Sequence, residues 1–115
     1  MIPRILMLMD AEDYYFYEKL QLGACKFVEY DGLLTPAAVA DYLIRYIQTF
    51  DAVGVLGGNE HADVRRTLDD HFDGLKFLFD WGGTSAANPD YIRVVGPVFD
   101  RTVREAFADI KISVE

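Results

Sequence analysis

The chain has 115 residues, of which 51% are hydrophobic, with one cysteine and a formal net charge of −8 from 19 acids against 11 lysines and arginines. That size and apolar content predict one compact domain spanning residues 1–115. A field of this sign repels phosphate backbones and anionic lipid, which argues against nucleic-acid and membrane partners, and lone Cys25 excludes an internal disulfide framework and fits a reducing, cytoplasmic setting.

In chain order, Arg4-Ile-Leu-Met-Leu-Met9 has no polar alternation and predicts a central parallel strand covered on both faces. Its apolar part, Ile5 to Met9, is far short of a signal-peptide core or a membrane span. Asp10 is placed to cap a following helix, with Asp13 favouring the helix dipole and Gly23 near the stop. This helix carries four aromatic residues in succession, Tyr14, Tyr15, Phe16 and Tyr17. At about 100° per residue they sweep most of the circumference, so one face cannot take them all. With Phe16 and Leu20 packed inward, four apart, Tyr14 points nearly away and Tyr15 and Tyr17 lie on the flanks. Tyr14, Tyr15 and Tyr17 are thereby candidates for a contact surface, since tyrosine offers rigid area with a polar handle.

Cys25-Lys-Phe-Val-Glu-Tyr30 reads as a strand with an exposed edge. Thr35 and Pro36 form a helix start, a capping hydroxyl followed by proline at the first helical position. From there Val39, Ala40, Leu43, Ile44 and Ile47 repeat at helical spacing as one broad apolar face. Ala52-Val-Gly-Val-Leu56 is a third strand, stopped by Gly57-Gly58, and Asn59 is placed to cap a third helix that buries Val64, Leu68 and Phe72. Leu75-Lys-Phe-Leu-Phe79 is a fourth strand, closed by Gly82-Gly83. Only Thr84 to Asp90 separates it from Tyr91-Ile-Arg-Val-Val95, too little for a full crossover helix, so the last strand is open to either direction. A final helix starts at Asp100 and buries Val103, Phe107 and Ile110, and Lys111 to Glu115 form a tail or a short added strand.

Strands alternating with helices predict a three-layer sandwich around a mainly parallel sheet of about five strands. Charges at Lys26, Glu29 and Arg93 mark the second and fifth strands as edges, which matches the order 2-1-3-4-5 of flavodoxin-like folds. Ligands bind such sheets beyond the carboxyl ends of the strands, here between strands one and three. The loops meeting there are Asp10 to Asp13 and Gly57 to His61. Gly57, Gly58 and Asn59 lead into a helix start, whose N–H groups favour an anion. Asp10, Glu12 and Asp13, with Glu60, supply hard oxygen ligands for a divalent cation such as Mg²⁺. His61 and Asp10 are the candidates for acid–base work. Trp81, Thr84 and Ser85 follow the fourth strand and are candidates to line the same crevice, Trp81 by stacking on a planar ligand. No G-x-x-x-x-G-K-[ST], G-x-G-x-x-G or G-x-S-x-G occurs, so a P-loop, a dinucleotide fingerprint and a nucleophile elbow have no support.

"RILMLMDAEDYYFYEKL" resembles the opening of a response-regulator receiver domain, and "VVGPVFDRTVREAFADI" resembles its last strand, proline and final helix. On that resemblance Asp10 falls on the first of the paired acids and Ala11 replaces the second. Gly57 falls near the phospho-accepting aspartate, Gly96 precedes Pro97 where a lysine is expected, and Thr84 or Ser85 matches the switch hydroxyl. The resemblance therefore implies a pseudo-receiver that is not phosphorylated and works by protein contact. The leading expectation is a small acidic regulatory or binding module acting through a homodimer or a protein partner. Its alternatives are a binder of a small anionic metabolite or nucleotide at the sheet's carboxyl edge, and a metal-dependent phosphoryl-transfer or hydrolytic enzyme.

Overall fold

The computed structural model describes residues 2–19, 25–57, 61–80, 89–96 and 99–109. Its strands are β1 (Arg4–Leu8), β2 (Lys26–Glu29), β3 (Ala52–Leu56), β4 (Leu75–Phe79) and β5 (Ile92–Val94). Its helices are α1 (Ala11–Glu18), α2 (Pro36–Tyr46), α3 (Ala62–His71) and α4 (Phe99–Asp109), and a 3-10 turn, Ile47–Thr49, extends α2. The strands form one sheet in the order β2-β1-β3-β4-β5 with every pairing parallel. The last strand is thus parallel as well, Phe77 pairing with Ile92 and Phe79 with Val94.

Period-two alternation sorts the central strands between two cores. On one face Ile5, Met7, Ala52, Phe77, Phe79 and Val94 meet Tyr14 and Tyr17 of α1 and Val103, Ala106 and Phe107 of α4. On the other, Leu6, Leu8, Val53, Val55 and Leu78 meet Val39 and Leu43 of α2 and Val64 and Leu68 of α3, with Tyr30 and Tyr91 at the margins. Each such fully buried aliphatic or aromatic side chain contributes about 1.5–3 kcal/mol by leaving water. Together these layers make the chain an α/β protein of flavodoxin-like, three-layer architecture.

Thr35 caps α2 as its sequence predicts, its Oγ1 accepting from the Ala38 N–H at 3.3 Å, with Pro36 in the first turn. The face of α2 is narrower than the apolar spacing suggests: Val39 and Leu43 are buried, whereas Ile44 is 70% exposed. One further residue turns the helix about 100°, which carries Ile44 off the sheet.

The aromatic helix packs differently from its sequence expectation. Tyr14 and Tyr17, three apart, face the sheet and are buried, while Tyr15 and Phe16 are exposed. Helix α1 ends at Glu18, so the inward partner expected of Phe16 lies past its last turn, and Leu20 is outside the described residues. The physical reason is where α1 sits, beside the sheet's β2 edge, where a phenol can bury its ring and keep its hydroxyl at the margin. The Tyr14 hydroxyl donates to the Phe27 carbonyl at 3.3 Å, and the Tyr17 ring packs on Phe79 with centroids 5.1 Å apart. Of the three tyrosines expected at a contact surface, Tyr14 and Tyr17 therefore belong to the core and only Tyr15 stays outside.

The sheet also holds a polar cluster that its strand pattern does not announce. Lys76, in the apolar run of β4, is buried under α3, where its Nζ donates to Asp69 Oδ1 at 3.0 Å. The Tyr91 hydroxyl donates to the same oxygen at 2.8 Å, and Lys76 Nζ stands 5.0 Å from the Tyr91 ring centroid. A buried ammonium is tolerated because a carboxylate and an aromatic face both meet it.

Candidate functional site

Parallel pairing of β1 with β3, Leu8 opposite Val55, brings the carboxyl ends of both strands together at the place where the strand order reverses. Beyond β1 comes Asp10 in the capping position of α1; beyond β3 come Gly57 and then His61 in the capping position of α3. Neither side chain caps its own helix. Instead they face each other across the seam, His61 Nε2 lying 3.7 Å from Asp10 Oδ2. The imidazole is mostly covered, at 24% exposure, and the carboxylate is open at 61%. At that distance the contact is an ion pair when the ring is protonated rather than a tight hydrogen bond.

Surrounding backbone holds this edge in register. Arg65, four residues after His61 and so on the same side of α3, donates through Nη1 to the Leu56 carbonyl at 3.0 Å, tying the helix to the end of β3. The Gly57 N–H donates to the Phe79 carbonyl at 3.1 Å, linking the β3 end to β4. In the sequence, Arg65 is marked only by its four-residue spacing from His61.

Of the residues expected to share this edge, Asp10, Gly57 and His61 are brought together. Gly58, Asn59, Glu60, Trp81, Thr84 and Ser85 lie outside the described residues. The capping position expected of Asn59 is held by His61, because α3 begins at Ala62. Asp10, Glu12 and Asp13 do not converge: among the described residues no three carboxylate, histidine or cysteine side chains are grouped to hold an ion. Their positions explain this, since Glu12 and Asp13 belong to the first turn of α1 and project from it in different directions.

What the arrangement supplies is an imidazole facing a carboxylate, next to the first turn of a helix whose capping side chain makes no bond to it. N–H groups in such a turn have no partner within the helix and attract an anion. Comparison with known protein families, curated proteins and solved structures gives no match. The class of the protein thus rests on its fold, an all-parallel α/β sheet in the order 2-1-3-4-5. Among the described residues no helix is long and apolar enough to cross a membrane.

Proposed function

We propose that this chain is a small acidic α/β binding and regulatory module whose ligand, an anionic metabolite or nucleotide, seats at the carboxyl edge between β1 and β3. The observation that carries the reading is the His61–Asp10 contact of 3.7 Å at the point where the strand order reverses. The His61 ring offers a nitrogen donor to an anionic group, and Asp10 stands beside it. The first-turn N–H groups of α3, which follow His61 directly, add further donors. Gly57 stands directly after β3, where a receiver domain carries its phospho-accepting carboxylate, so regulation here works by occupancy and not by an acyl phosphate. A metal-dependent mechanism has less support, because Asp10, Glu12 and Asp13 do not gather.

Thermal-shift screening of nucleotides and anionic metabolites, each with and without Mg²⁺, tests this reading. One chemical class is expected to stabilise the protein, and His61→Ala is expected to remove the effect. A panel without any shift overturns it.

A second reading, contact with a protein partner, is favoured by the neighbouring rings of Tyr15 and Phe16, which are 50% and 46% exposed on α1. Burial of Tyr14 and Tyr17 leaves it a smaller surface than the sequence suggested. Light scattering on the purified protein and on Phe16→Ser reports whether this exposed face of α1 mediates self-association.

A further inference from the structure

Among the described residues strand β2 ends the sheet, so one row of its backbone groups has no neighbouring strand there. The ladder identifies which row. The Lys26 N–H donates inward to the Pro3 carbonyl at 2.8 Å, and Lys26 pairs with Arg4. In a parallel ladder a residue's N–H and C=O point the same way and successive residues alternate. Lys26 and Val28 therefore face β1, whereas Phe27 and Glu29 present their N–H and C=O groups outward.

An edge of this kind is a template for strand addition. Two copies of β2 running antiparallel about Val28 would set Phe27 of one copy opposite Glu29 of the other, as a hydrogen-bonded pair. That pairing requires the outward Phe27 carbonyl. In the structure this oxygen already accepts from the Tyr14 hydroxyl at 3.3 Å, so an added strand would have to share or displace that bond. Tyr14 is in turn held by the core around its ring, being only 7% exposed. Beside it, the Tyr15 ring packs edge-on against Tyr14 with centroids 5.5 Å apart, and the Glu29 carboxylate faces the Tyr15 hydroxyl.

We infer that the start of the aromatic run is an edge guard: Tyr14, backed by Tyr15, occupies the outward Phe27 carbonyl of β2 and keeps a second copy of this chain from extending the sheet. Geometry gives the Tyr14 hydroxyl a task that burial of its ring alone does not require, since Phe there would bury the same ring. The net charge of −8 opposes the same association at longer range.

The test is sedimentation velocity over a concentration series on the full chain, comparing wild type with Tyr14→Phe and Tyr15→Phe, each checked for an intact fold by circular dichroism. Tyr14→Phe keeps the ring and frees the carbonyl, and it is expected to tighten self-association by about 25- to 100-fold, the worth of two competing hydrogen bonds, one in each copy. Tyr15→Phe, on an exposed position, is expected to shift it in the same direction by less. Adding Glu29→Pro, which deletes an outward N–H, is expected to restore the wild-type state. Unchanged association in both single variants overturns the inference, as does association that survives Glu29→Pro. If Tyr14→Phe loses its fold, Tyr15→Phe alone decides: no shift overturns the guard, and a shift reversed by Glu29→Pro supports it.

Discussion

His61 and Asp10 meet at 3.7 Å although 51 positions apart in the chain, each placed by the loop that leaves a neighbouring strand. Neither residue supports the core, and an ion pair with one partner 61% exposed is strongly screened by water. His61→Ala and Asp10→Asn are therefore expected to change the unfolding free energy by less than about 1 kcal/mol. Both should nonetheless abolish any ligand-induced thermal shift. Urea unfolding beside the ligand screen separates the two effects.

Lys76, Asp69 and Tyr91 carry the opposite expectation. Asp69→Ala leaves the buried Lys76 ammonium without its carboxylate and is expected to cost about 2–4 kcal/mol, reduced from the fully buried case because Asp69 is 40% exposed. Lys76→Met replaces the ammonium by an apolar chain of similar volume and is expected to stay within about 1 kcal/mol of wild type. Urea unfolding of the two variants checks the asymmetry.

Alkaline solution should weaken the fold through its buried phenols. Burial raises the pKa of Tyr91 above 10.0, and the hydrogen bond to the Asp69 carboxylate raises it further. Burial raises Tyr14, Tyr30 and Tyr42 as well. Because the folded chain holds these protons where the unfolded chain releases them, the contribution is complete below pH 10.0 and is lost as pH rises through the folded pKa values. Unfolding measured on either side of that pH should show the decline, and Tyr91→Phe should flatten it. Tyrosinate absorbance reports the titration directly.

Gly54 of β3 has no room for a side chain. A Cβ there would run into the Phe79 ring and stand 3.0 Å from the Met7 sulfur. Gly54→Ala is expected to destabilise the protein by about 1–3 kcal/mol through overpacking, despite the better strand propensity of alanine. The melting temperature reads this out, and a neutral result would show that Phe79 has room to turn.

Thr35→Ala removes a side-chain bond to the N-terminus of α2 and is expected to cost about 1 kcal/mol. The same substitution at Thr49, whose hydroxyl donates to the Tyr46 carbonyl at the exposed end of that helix, is expected to cost less. Chemical denaturation of the pair compares a capping bond with a terminal one.

Much of this architecture follows from local patterning alone. Unbroken apolar runs at Ile5–Met9 and Ala52–Leu56 specify strands buried on both faces, and charges at Lys26, Glu29 and Arg93 mark the edges, which is enough to order the sheet. The meeting of strand ends one and three, and with it the seat of Asp10 and Gly57, follows from that order. Direction of the last strand did not follow, because a connection too short for a helix leaves no periodicity to read; pairing with β4 decided it. Nor did the face of α1. Four consecutive rings offer every rotation of the helix an apolar side, so periodicity cannot choose among them. The choice fell to the sheet margin, where Tyr14 could bury its ring and still bond the Phe27 carbonyl, and where Tyr17 could meet Phe79. The His61–Asp10 contact and the Lys76–Asp69–Tyr91 cluster share that origin. Each joins residues from separate elements, and distance between elements is set by how the layers pack, a quantity that no local stretch of the chain encodes.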